Sequence, residues 1–138
     1  NHDFKAIQCE VMTYDGQIIE LGVGGSGSMP NQSSIISRNY PIIIHFNEAI
    51  LLSTFETGSG KEIELSTASG FGSGHFTSLS LVRSGEFGNK IVLTPTTTAG
   101  LAASTQYYIR VVSGVGGTNE TGVTLASTVY FNSFTTTS

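Results

Sequence analysis

In the stretch "YPIIIHFNEAI", residues 40–50, a run of three isoleucines leads into His45, Phe46 and Asn47, where polar and apolar positions alternate. Residues two apart in a strand share a face, so Ile42, Ile44 and Phe46 are predicted to point into a core, and Ile43, His45 and Asn47 away from it. The same reading turns Ile63 and Leu65 inward with Glu62 and Glu64 outward, and Ile91 and Leu93 inward. It also sets Tyr107, Ile109 and Val111 inward, opposite Tyr108, Arg110 and Val112. Strands are predicted over 41–47, 62–66, 76–82, 90–94, 106–113 and 129–136, with a weaker one near 50–55. Between them lie Gly-, Ser- and Thr-rich loops at 56–61, 67–75, 84–89 and 114–122. No stretch holds a helical period, and short strands at this spacing predict an all-β sandwich.

The N-terminal "FKAIQCEVMTYDGQIIELGV", residues 4–23, reads as a β-hairpin. Ile7, Cys9 and Val11 share a face, Asp15-Gly16 supplies the turn, and Ile18, Ile19 and Leu21 continue the pattern. A lone hairpin is marginal in water, so its apolar face must dock. The following "GVGGSGSMPNQSS", residues 22–34, has the makeup of a flexible linker. The hairpin can therefore reach its own domain or a neighbouring subunit. The chain divides into a docking hairpin at 1–23, a linker at 24–34 and a sandwich domain at 35–138.

A length of 138 residues suits one domain with an appendage. Only 12% of residues are charged, 10 acidic against 6 basic, and no basic stripe exists to attract nucleic acid. No apolar run reaches the ~18 residues of a membrane span, and no signal-peptide pattern opens the chain. A start at Asn1 reads as a processed product or a piece of something longer. Cys9 is the sole cysteine, which excludes an intrachain disulfide and leaves it as a small buried residue.

The phrases "PIIIHFNEAI", "EIELS", "KIVLTP", "LAASTQYYIRVVSGV" and "FNSFTTT" resemble, in order and spacing, the bacterial Ig-like domain of the Big_5 type. Pro41, Phe46 and Glu48 match its opening phrase, and Leu93, Thr94 and Pro95 its middle one. Leu101, Thr105 and Tyr107 match the third, and Phe134, Thr135 and Thr136 the last. The resemblance spans about residues 34–138. It implies an immunoglobulin-like β-sandwich of about seven strands, here with an N-terminal hairpin extension. It also implies a spacer or display role on bacterial surfaces, S-layers, adhesins or phage virions, and no catalysis. Two departures stand out: "GVGGTNETG" holds one acid, Glu120, where many members carry an Asp-rich loop, and Asn132 occupies a position that is usually apolar. A bulge that turns Phe131 inward would restore the pattern.

Candidate chemistry is sparse. His45, Asn47 and Glu48 sit too close along one strand to converge as a base with its orienter, and no nucleophile is tied to them. His2, His45 and His75 share no zinc spacing. Calcium needs six to eight oxygens, so the single acids of "EFGN" and "TNET" allow at most a weak site built from two loops. The expected cofactor is none. "SGFGSGHF", residues 69–76, is glycine-rich but lacks the Lys-Ser/Thr ending of a phosphate loop. Asn31-Gln32-Ser33 and Asn119-Glu120-Thr121 fit the N-glycosylation pattern.

The stronger clue is apolar surface. Ile43, Val92 and Val112 lie on faces assigned outward, and the hairpin brings Ile7, Cys9, Val11, Ile19 and Leu21; together these are the expected assembly contacts, through packing or strand addition. The expected partners are copies of the chain or other subunits of an extracellular, cell-surface or virion assembly. The alternative is an adhesin or carbohydrate-binding module that meets a glycan through Phe71, His75, Phe87 and Asn119.

Overall fold

A computed structural model of the chain describes residues 3–24 and 31–138. His2 and residues 25–30 of the segment read as linker lie outside the described residues. The strands are β1 (Ala6–Met12), β2 (Ile18–Leu21), β3 (Val23–Gly24), β4 (Asn31–Ile36), β5 (Ile42–Phe46), β6 (Ile63–Ser66), β7 (Leu79–Ser84), β8 (Lys90–Pro95), β9 (Gln106–Val111), β10 (Val129–Phe131) and β11 (Ser133–Thr136). One sheet runs in the order β2-β1-β5-β8-β7, and the other β3-β10-β9-β11-β4 with β6 also on β9. The chain passes from β5 to β6, from β6 to β7 and from β8 to β9 by changing sheets. Counting β10 and β11 as one bent strand, β4 to β11 make a seven-stranded immunoglobulin-like sandwich.

The alternation that predicts the central strands is what fills the core. Ile42, Ile44 and Phe46 meet Ile63, Leu65, Ile91, Leu93, Tyr107, Ile109 and Val111 between the sheets, all buried. Two insertions adjust the phase. Three residues, 131–133, face two residues of β9, which lets both Phe131 and Phe134 point inward despite their odd spacing. In β1 the register slips between Ala6 and Gln8. Ala6, Cys9 and Val11 therefore face the core, and Ile7, expected beside Cys9, is turned out and left 46% exposed.

The hairpin docks on its own sandwich. β1 lies between β2 and β5, pairing Cys9 with both Leu21 and Ile44. Phe4, Cys9, Val11 and Leu21 complete the same core. The chain then changes sheets at Gly22, whose carbonyl accepts the Asn132 N–H at 2.8 Å. Part of the segment read as linker is strand: β4 begins at Asn31 and runs parallel to β11.

Three further expectations are corrected. The weak strand near 50–55 is a single 3-10 turn at Leu52–Thr54. The strand expected over 76–82 begins at Leu79, because Phe76 donates its N–H to Leu65 O at 2.8 Å and so belongs to the edge of β6. Glu62 and Glu64, expected to face water, are both buried. Glu62 accepts the Glu56 N–H at 2.9 Å, and Glu64 lies under the loop that follows its strand.

Candidate functional site

Three features of the surface carry polar or apolar groupings that a sandwich of this size does not require. The first is on the outer face of the second sheet. Register sets Glu64 of β6 opposite Arg110 of β9, and Arg110 opposite Tyr130 of β10. Loop 67–75 folds back over this row, held by Thr67 N–H to Gly74 O at 3.1 Å and by Ser66 Oγ to Ser73 O at 2.5 Å. A Cβ at Gly74 would clash with the Thr67 hydroxyl, and its φ of +70° lies in the left-handed region that favours glycine.

Beneath the loop, Glu64 uses both carboxylate oxygens. Oε1 lies 2.6 Å from His75 Nε2, and Oε2 accepts from Arg110 Nη2 at 2.8 Å. Arg110 Nη1 donates to the Tyr130 hydroxyl at 3.2 Å. The Phe71 ring covers the guanidinium at 4.3 Å, a cation–π contact. Arg110 Nε is buried without a partner. Phe71 reaches this position in the left-handed region, with φ +56°. With its oxygens taken, Glu64 is engaged in holding the loop to the sheet.

The second grouping is on the outer face of the first sheet. His45 Nε2 lies 2.8 Å from Glu10 Oε1, a partner from β1 that the strand sequence around His45 does not contain. Its neighbours diverge: Asn47 accepts the Lys5 N–H at 2.9 Å, and Glu48 accepts from Asn119 Nδ2 at 2.6 Å. The His45, Asn47 and Glu48 set is thus split among three regions. Among the described residues, no three His, Cys, Asp or Glu side chains assemble to hold a metal.

The third is apolar. Register aligns Ile43 of β5, Val92 of β8 and Val82 of β7 in one row on that same outer face. Val82, at the rim, is 54% exposed. Val112 lies elsewhere, donating its N–H to Glu62 O at 2.8 Å. Of the hairpin residues expected to make assembly contacts, Cys9, Val11 and Leu21 are consumed by their own core, and Ile19 packs against it. The Cys9 thiol is accordingly held far above the ordinary range, by burial first and by the charge of Glu10 second. Ile7 instead lines a groove of about 350 Å³ with Lys5, Val23 and Thr128.

The residues read as ligand loops are not gathered. Phe71 and His75 belong to the covered row of Glu64 and Arg110. Asn119 is buried, its Oδ1 accepting the N–H groups of Thr121 at 3.0 Å and Val123 at 2.8 Å, so it shapes its own loop. Phe87 alone stands in solvent, 75% exposed. The partnerships of Glu10 with His45, and of Glu64 and Tyr130 with Arg110, have no signal in the local sequence, since adjacency of strands brings each together.

Compared with known proteins, the chain matches no family model, and no curated protein or solved structure is significantly similar.

Proposed function

We propose that the chain is a non-enzymatic structural or display module of a bacterial-surface or phage-virion assembly, working by protein packing and strand docking. One observation carries the reading. Among the described residues β7 pairs with β8 and with no other strand, and its exposed Val82 ends the apolar row that runs through Val92 to Ile43. An open edge beside apolar surface is the arrangement that strand addition uses. The setting on a cell or virion exterior rests on the resemblance of residues 34–138 to Big_5 domains.

The experiment is sedimentation or light scattering on the whole chain from about 10 µM to about 1 mM. Mass is expected to rise with concentration, and Val82→Lys to suppress the rise without changing the melting temperature. A monomer mass held across the whole range overturns the reading.

A further inference from the structure

Sheet edges are templates for pairing, and native chains blunt the ones they do not use. Among the described residues, the edges of this sandwich are treated unequally. β6 is covered on its free side: Ile63 N–H donates to Glu56 O at 3.0 Å, Gly58 N–H to Ile63 O at 3.2 Å and Phe76 N–H to Leu65 O at 2.8 Å. β4 is blunted by Gln32, whose side-chain amide bonds both the N–H and the carbonyl of Ser34. β2 has four residues, carries Glu20, and leaves its sheet at Gly22. β7 has six residues, no proline and no bulge, and its one charge, Arg83, is paired with Glu120.

The hydrogen-bond phase of this edge is set. Thr96 N–H donates to Ser78 O at 2.8 Å. Antiparallel bonding alternates, so Ser80, Val82 and Ser84 bond to β8, and Leu81 and Arg83 turn their backbone groups outward. Ser80 and Val82 point their side chains to the outer face, where both are exposed.

Building on the assembly reading above, we infer that the partner of β7 is β7 of a second copy, paired antiparallel about a two-fold axis at Leu81. The strand is complementary to itself in this register. Leu81 lies opposite its own copy, Ser80 opposite Val82, and Arg83 opposite Leu79. The two arginines are then four residues apart along the strands, ~13 Å at the strand rise, beyond the ~10 Å screening length. An axis at Val82 would bring them onto diagonal neighbouring positions, where like charges repel. Each five-stranded sheet continues into the other, the row of Ile43, Val92 and Val82 meets Ser80 of the second copy, and the two Val82 side chains become diagonal neighbours across the junction. Pairing one strand from each copy buries less than the ~1,200 Å² of a stable interface, so the association is reversible and weak.

The test is cross-linking of the full chain under oxidised glutathione. In this register Ser80 and Val82 of opposite copies form a non-hydrogen-bonded pair, close enough for a disulfide. Ser80→Cys/Val82→Cys is expected to give a disulfide dimer at least tenfold faster than either single variant, both sites being exposed and the fold checked by circular dichroism. Efficient cross-linking by Val82→Cys alone overturns the Leu81 axis. Association of the unaltered chain without preferential cross-linking of the double variant overturns the β7 pairing and leaves the assembly reading standing. No association of the unaltered chain overturns both.

Discussion

Arg110 lies with its guanidinium carbon 4.3 Å from the centre of the Phe71 ring, and that contact joins loop 67–75 to the second sheet. Phe71 adopts φ +56°, which costs an L-residue roughly 1 kcal/mol or more and glycine nothing. Removing the ring and relieving the backbone are therefore separable. Phe71→Ala is expected to cost about 3 kcal/mol, and Phe71→Gly to be no worse than Phe71→Ala despite losing one more carbon. Urea unfolding at constant m decides it; a glycine variant clearly less stable than the alanine variant would mean that the backbone is unstrained.

Glu64 is 2% exposed and bonded to both Arg110 and His75. Taking one partner from a buried ion pair leaves the other uncompensated, at a cost of about 3 kcal/mol. Glu64→Gln is expected to show that loss. Glu64→Gln combined with Arg110→Met should lose at least ~1 kcal/mol less than the sum of the single changes. Additive losses would mean that the two side chains do not act as a pair.

Much of the fold was legible because burial in β5, β8 and β9 follows the two-residue period of a strand, and Ile42, Ile44, Phe46, Ile91, Leu93, Tyr107, Ile109 and Val111 are all buried where that period puts them. What escaped is non-local. The bulge at Ile7 is set by the pairing of β1 with Phe46 and His45, far away in sequence, and period alone cannot register it. The alternation of "EIEL" predicts Glu64 on a solvated face, and nothing in it says that loop 67–75 will cover that face. Asn31–Ile36 is a strand whose polar opening reads as linker. Of the row proposed for assembly, Ile43 and Val92 are legible on the outer face, whereas the place of Val82 depends on β7 being an edge, which its sequence does not say.

The hairpin is as much core as any strand. Phe4 stacks on Phe46 at 5.7 Å, and Ala6, Cys9, Val11 and Leu21 are buried with it. At about 1.5–3 kcal/mol for each large apolar side chain, their combined removal rivals the ~5–15 kcal/mol that holds a domain together. A chain lacking residues 1–21 is expected to be unfolded by circular dichroism and to lose amide dispersion. A folded, cooperative truncated chain would restore the hairpin to the status of an appendage.

Gln32 caps both backbone groups of Ser34 on the rim of β4. Gln32→Ala would uncover them and give the second sheet a sticky edge of its own. Association is expected to increase in Gln32→Ala and to persist when Val82→Lys is added. If the double variant is monomeric, the β4 edge is inert and all association runs through β7.

Cys9 offers a titration that reports on the hairpin. Burial and the neighbouring Glu10 raise its thiol pKa in the fold, whereas an unfolded thiol ionises near ~8.5. Above that pH the unfolded state binds fewer protons than the folded one, so stability falls as pH rises, and below it Cys9 contributes no slope. The fall should approach about 1.4 kcal/mol per pH unit over the interval where only the unfolded thiol is ionised. Cys9→Ala should lower stability overall but remove this part of the slope, as read from urea midpoints between about pH 8 and pH 10. Thiol reagents should label Cys9 only as fast as the hairpin opens; immediate labelling of the folded chain, or an unchanged slope in Cys9→Ala, would mean that β1 does not hold the thiol in the core.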